Sequence, residues 1–307
     1  MLIPTGSTER ALLGVATAFA AVGVAHVVPF LIEGGAWDGA VSWRKPILFG
    51  VSFGIVTWWL AWVLGTLSWS QRAKAVWATV YTVAAVVEVG VITLQRWRGV
   101  PSHFNGTTPL DGALFSVMGA AIGVVSVLIA VLIGVALLRR PGDPATRWAV
   151  LGGLMLMLGG LTLGGLLVQL GVGQAVDGVA PETVRAGAAG VPKYAHAVAL
   201  HVPQALVGLL ALVGVAGLSA DARRTTLRRA VFAFAALVMA ASAHTMAGRA
   251  LFDVANPTGR VMLAALGACA WPVVGAMMAA WRTDDSAPPP PNPDASRRTD
   301  EALAPQR

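Results

Sequence analysis

The sequence predicts an all-α fold, a polytopic transmembrane helix bundle of about eight spans. Three observations carry that reading. More than half of the 307 residues are hydrophobic (56%) and only 12% are charged, where a soluble domain carries about 25%. Apolar runs long enough to cross about 30 Å of hydrocarbon recur along the chain. The charges sit in the short segments between those runs, where orientation signals belong.

The first run, 11–31, follows Glu9 and Arg10. It is long for the core of a signal peptide, and no small-residue cleavage site follows it, so it reads as a retained span. The second, 46–67, opens after Trp43-Arg44-Lys45, and the third, 75–95, after Arg72 and Lys74. The fourth, 112–138, is preceded by Thr108-Pro109-Leu110-Asp111. That order reads as an N-cap, a proline at the first helical position and an acid at the third. Arg139-Arg140-Pro141-Gly142 separates it from the fifth, 148–170, which holds Gly152-Gly153, Gly159-Gly160 and Gly164-Gly165. Small residues there predict close helix packing within the chain, with dimerisation as the alternative use of the same face. The sixth run is 194–218. The seventh, 230–250, follows Arg223-Arg224 and Arg228-Arg229, and the eighth is 261–281. The helical domain thus occupies 1–282. Residues 283–307, with Pro288 to Pro291, read as a disordered cytoplasmic tail.

With the N-terminus inside, fourteen Lys and Arg fall on the inner side and eight on the outer. The positive-inside rule then predicts a multi-pass protein of the cell membrane with both termini cytoplasmic. Trp69, Trp77, Trp148 and Trp281 are expected at the inner interface, and Trp37, Trp43 and Trp97 near the outer one. The net charge of +7 belongs to this pattern; the partner it implies is the lipid bilayer and not nucleic acid. The lone cysteine, Cys269, excludes an intrachain disulfide or a cysteine metal cage and reads as packing.

Ionisable residues inside a span are functional candidates. Converting positions to depth at about 1.5 Å per residue puts His26, Glu88, His201 and His244 roughly 8–12 Å below the outer surface. His196 lies in the first turn of the sixth span, His103 in the loop after the third, and Arg96, Arg98 and Arg249 form a basic rim. The inner half is expected to hold no comparable residue. His196 and His201, five apart, point about 140° apart on a regular helix, whereas His201 and Gln204 share a face. Each of these side chains also has a plain reading as a hydrogen-bonded packing residue.

Three chemistries suit the set, and the first two make the chain a haem- or metal-binding redox protein with its site in the outer half of the membrane. Two imidazoles among His26, His201 and His244 could ligate the iron of haem b, with the rim arginines on its propionates. Imidazoles and Glu88 could hold a divalent metal such as zinc or iron. Without a cofactor, Glu88 and the histidines would form a proton relay in a small-molecule or proton-coupled transporter. A structural or interaction role is the remaining alternative, and no motif assigns an enzymatic reaction.

Three stretches occur together: Trp43-Arg44-Lys45-Pro46-Ile47, Gly99-Val100-Pro101-Ser102-His103-Phe104-Asn105, and His196-x4-His201-x2-Gln204. In these the chain resembles a group of uncharacterised bacterial integral membrane proteins with RKPI, GVPSHFN and HxxxxHxxQ motifs. The resemblance covers well under half of the sequence and implies a membrane location without a mechanism. The chain lacks the cysteine-bearing outer loop of haem A synthases, and its x4 spacing differs from the His-x3-His helix of alkaline-ceramidase-like hydrolases.

Overall fold

The computed structural model describes residues 6–285. The predicted tail therefore lies outside the described residues, apart from 283–285, which continue the last helix. Among the described residues there are nine helices and no strand: α1 Ser7–Ala25, α2 Val27–Glu33, α3 Arg44–Thr66, α4 Gln71–Trp97, α5 Pro109–Arg139, α6 Pro144–Gln174, α7 Lys193–Val215, α8 Ala220–Met246 and α9 Pro257–Asp285. Eight segments are long and apolar enough to span a membrane, α1 and α2 together making the first. The predicted fold class is the observed one.

Several boundaries shift, for local reasons. α1 gives way to α2 at His26 because Pro29 has no N–H to donate to the carbonyl of Ala25. α5 starts as predicted: the Thr108 hydroxyl accepts from the backbone N–H of Asp111 at 3.1 Å. α6 starts at Pro144 under an Asp143 cap that takes the Ala145 N–H at 2.9 Å. α8 begins ten residues before the apolar run at 230, since Ser219 caps it and its Arg-rich first turns remain helical. It stops at Met246, just before Gly248, whose φ of +79° a helix cannot continue through.

α3, α4, α5, α6 and α7 each pack on the next, and α7 packs back on α3, closing a ring. α1 lies outside the ring against α3 and α4, and α8 and α9 pack together against α6 and α7. Two glycine seams set these distances. In α3, a Cβ on Gly50 would stand 2.6 Å from Gly23 of α1, and one on Gly54 2.9 Å from the carbonyl oxygen of Ala16. In α6, a Cβ on Gly160 would meet Ala199 and Leu200 of α7, and Gly153 faces Trp59 and Pro203. The glycines at 153, 160 and 164 are thus occupied within the chain, while Gly159 and Gly165 open outward. Small residues at such crossings let dispersion act over closely apposed backbones, the main attraction between helices in lipid.

The tryptophans divide differently from the expected belts. Trp37, Trp97 and Trp281 are exposed. Trp43 and Trp77 instead turn inward: the Trp77 indole donates to the carbonyl of Leu128 at 3.0 Å and stacks on Tyr81. An indole N–H inside an apolar bundle needs an acceptor, and the α5 backbone supplies it. The other correction concerns the end of the bundle nearer the N-terminus. Glu9 and Lys74 are both buried there, with Nζ 2.8 Å from Oε1. α1 and α4 begin four residues before the apolar runs do, which carries this pair inside.

Candidate functional site

The loop between α4 and α5 folds back into the bundle. Gly99, at φ +71°, turns the chain at the end of α4, and the Val100 N–H closes the turn on the carbonyl of Gln95 at 3.1 Å. Asn105 is buried and holds the loop from within: its amide donates to the Pro101 carbonyl, and its oxygen accepts from the backbone and hydroxyl of Thr107. Phe104 takes a left-handed φ of +59°, uncommon for a bulky residue. Its ring lies edge-on to Phe115 and fills the space that Gly171 of α6 leaves. The Gly106 N–H donates to the Gly178 carbonyl at 2.9 Å, tying this loop to the one after α6.

That fold delivers His103 to Glu88. Glu88 of α4 is 3% exposed, and its Oε1 lies 3.9 Å from Nε2 of His103. Among the described residues, its Oε2 has no hydrogen-bond partner. The other ring nitrogen of His103 is held by the Ser102 hydroxyl at 2.9 Å, which aims Nε2 at the carboxyl group. Phe49, Phe104 and Phe115 surround the imidazole. Burial, with the Lys45 ammonium adding to it, pushes the imidazole down to about 3, so it is neutral at physiological pH. Lys45 itself is directed away, its Nζ donating to the Ala40 carbonyl at 2.7 Å. Among the described residues, nothing cationic therefore meets the Glu88 carboxyl group directly.

A second cluster fixes the ends of this loop. Asp111 accepts from Gln95 at 2.9 Å, from Arg98 at 2.7 Å and from the Thr108 hydroxyl at 2.7 Å. Arg98 also donates to the side-chain oxygen Oε1 of Gln95. The sequence identified Asp111 only as a helix-start acid; its larger part is to join α4, the loop and α5.

The remaining predicted site residues stand apart from the Glu88–His103 pair, each with its own partners. At the α1–α2 break, His26 donates from Nδ1 to the Val22 carbonyl at 2.6 Å, and its Nε2 accepts from the Trp97 indole at 3.1 Å. The neighbouring Trp43 donates to Glu33, which also takes Arg96 at 2.9 Å, and the Arg96 guanidinium lies 3.8 Å from the Trp43 ring centroid. His244, fully buried, engages Thr258 with Nδ1 and the Ala250 carbonyl with Nε2, at 2.8 and 2.7 Å. His196 reaches α6, with Nδ1 2.7 Å from the Gly160 carbonyl oxygen. His201 reaches α3 instead, with Nε2 3.2 Å from the Ser52 hydroxyl. The two diverge as their five-residue spacing predicts. Of the rim arginines, Arg96 and Arg98 are paired to acids and Arg249 is exposed.

Among the described residues, no three His, Cys, Asp or Glu side chains gather as ligands for a metal ion. His26 and His244 would have to give up existing hydrogen bonds before either could bind iron. Glu88 differs from them in having no such bonds to lose. No family profile, no curated protein and no solved structure matches the chain.

Proposed function

We propose that this integral membrane protein is a proton-coupled transporter of a small molecule, with Glu88 as its proton-binding group and His103 as the neutral partner facing it. The observation that carries the proposal is the Glu88 carboxyl group, buried in the bundle with one oxygen unpartnered and the other facing a neutral imidazole. An uncompensated carboxylate in a low-dielectric interior costs several kcal/mol by order of magnitude. A proton or a cationic ligand removes that cost, so loading and unloading the site alters the energy of the ring around it. A displacement of about 1 Å would bring Oε1 and Nε2 into hydrogen-bond range. Phe49 of α3 and Phe115 of α5 flank His103, so its movement presses on two further helices of the ring.

The excess of Lys and Arg on one side supports a cell-membrane location with cytoplasmic termini, which puts the pair in the outer half. The haem and divalent-metal readings are less favoured, because His26 and His244 have both ring nitrogens engaged.

Proteoliposomes containing a trapped pH dye provide the test. Pulses from a small-molecule library are expected to change the internal pH for one compound class, and Glu88→Gln is expected to abolish that change. Coupled proton movement that survives Glu88→Gln would overturn the assignment. A Soret band or stoichiometric metal in the purified protein would transfer the function to a cofactor.

A further inference from the structure

Between α8 and α9, on helices that do not carry the Glu88–His103 pair, a shallow open groove of about 670 Å³ is lined by Arg228, Arg229, Phe232, Ala268, Trp271 and Pro272, with Ala233. Its two ends differ in chemistry. Arg228 and Arg229 are exposed, and among the described residues neither guanidinium meets a carboxylate. Phe232 (61% exposed) and Trp271 (73% exposed) form the apolar part. Pro272 lies inside α9 and has no N–H, so the carbonyl of Ala268 loses its usual donor one turn on. The groove thus offers two charged donor groups, a freed acceptor and an aromatic wall. All of these lie where α8 passes from its Arg-rich first turns into its apolar stretch.

We propose that this groove binds the headgroup and proximal acyl chain of an anionic glycerophospholipid. The phosphate would sit on the guanidinium pair, which suits it through charge-assisted, two-point hydrogen bonding. The chain would run along Phe232 and Trp271, and a headgroup hydroxyl could donate to the Ala268 carbonyl. Charge complementarity selects an anion, and the aromatic wall selects an amphiphile over a free ion. Basic pockets between transmembrane helices hold anionic lipids on this principle. The site does not depend on the proton-coupled reading.

Native mass spectrometry of the full chain in mixed micelles with phosphatidylglycerol and phosphatidylcholine tests the proposal. One phosphatidylglycerol is expected to be retained in preference to phosphatidylcholine. R228Q/R229Q should weaken its retention by about thirty-fold, because the phosphate loses its charge-assisted hydrogen bonds. R228K/R229K, which keeps the charge, should retain most of it and separates loss of the site from loss of folding. R72Q/R139Q removes equal charge from exposed positions on two other helices and should leave retention unchanged. Equal losses in the two Gln pairs, equal retention of the two lipids, or release of the lipid by inorganic phosphate would each overturn the site.

Discussion

Arg98 and Asp111 meet at 2.7 Å, joining the end of α4 to the first turn of α5 across the loop that carries His103. Asp111 is buried and also accepts from Gln95 and Thr108, so its removal strands the buried Gln95 amide donor in the interior. Asp111→Ala is expected to lower the melting temperature in mild detergent and to raise hydrogen exchange across 99–108. Asp111→Asn, which keeps the shape, should do less on both counts. Unchanged exchange in the loop with Asp111→Ala would show that the cluster does not hold it.

Glu9 and Lys74 form the buried ion pair at the other end of the bundle. Removing one partner leaves a lone charge, at a cost of about 3–5 kcal/mol. Lys74→Met should therefore destabilise the protein strongly, and Glu9→Gln combined with Lys74→Met should recover much of the loss. Thermal unfolding of the two single variants and the double gives the coupling; additive effects would refute it.

His103 makes stability depend on pH in a stated direction. Its ordinary value is 6.5, and the folded protein holds it at about 3, so between these the unfolded chain binds more protons. Stability from this group is whole above 6.5 and declines as pH falls toward 3. The melting temperature should drop between pH 7 and pH 5, and the drop should shrink in His103→Gln. An equal drop in the variant would assign the pH dependence to other groups.

Gly164 leaves room for His196: a Cβ there would lie 2.9 Å from the imidazole carbon Cε1. Gly164→Leu should cost about 1–3 kcal/mol through overpacking. Gly165→Leu meets nothing among the described residues and should be near neutral in stability. If Gly165→Leu proves the more damaging in a cross-linking or unfolding assay, the outward face is an interface between copies.

His244→Ala removes two hydrogen bonds and opens a void at the α8–α9 corner, with no exposed surface to absorb it. A loss on the order of 2–4 kcal/mol is expected. His244→Asn should recover part of it in the same unfolding measurement, a result that a ligand role for the imidazole would not give.

The helical bundle was legible because lipid imposes one rule along the whole chain: apolar runs of a fixed length. The Thr108 cap was legible for a similar reason, since its partners are three residues away. Side-chain pairing across helices was not. His26, His201 and His244 share a depth, and depth follows from position along a span, but direction around the helix axis depends on which neighbour packs there. Ser52 and Thr258, which engage His201 and His244, carry no signal in the sequence. The approach of Gly50 and Gly54 in α3 to Gly23 and Ala16 of α1 depends on that same direction around the axis. Glu9 and Lys74 were assigned to loops because the helices continue past the ends of the apolar runs.

Glu88 lies nine residues from the end of α4, roughly 14 Å along the axis. A charge arriving at that depth from the nearer face crosses a substantial fraction of the bilayer's electric field. At about 2.3 kcal/mol per charge per 100 mV for the full thickness, occupancy of the site would shift by roughly 1 kcal/mol per 100 mV. Voltage and proton concentration would then act on this carboxyl group as interchangeable forces, and an energised membrane would set its charge differently from a detergent micelle at the same pH.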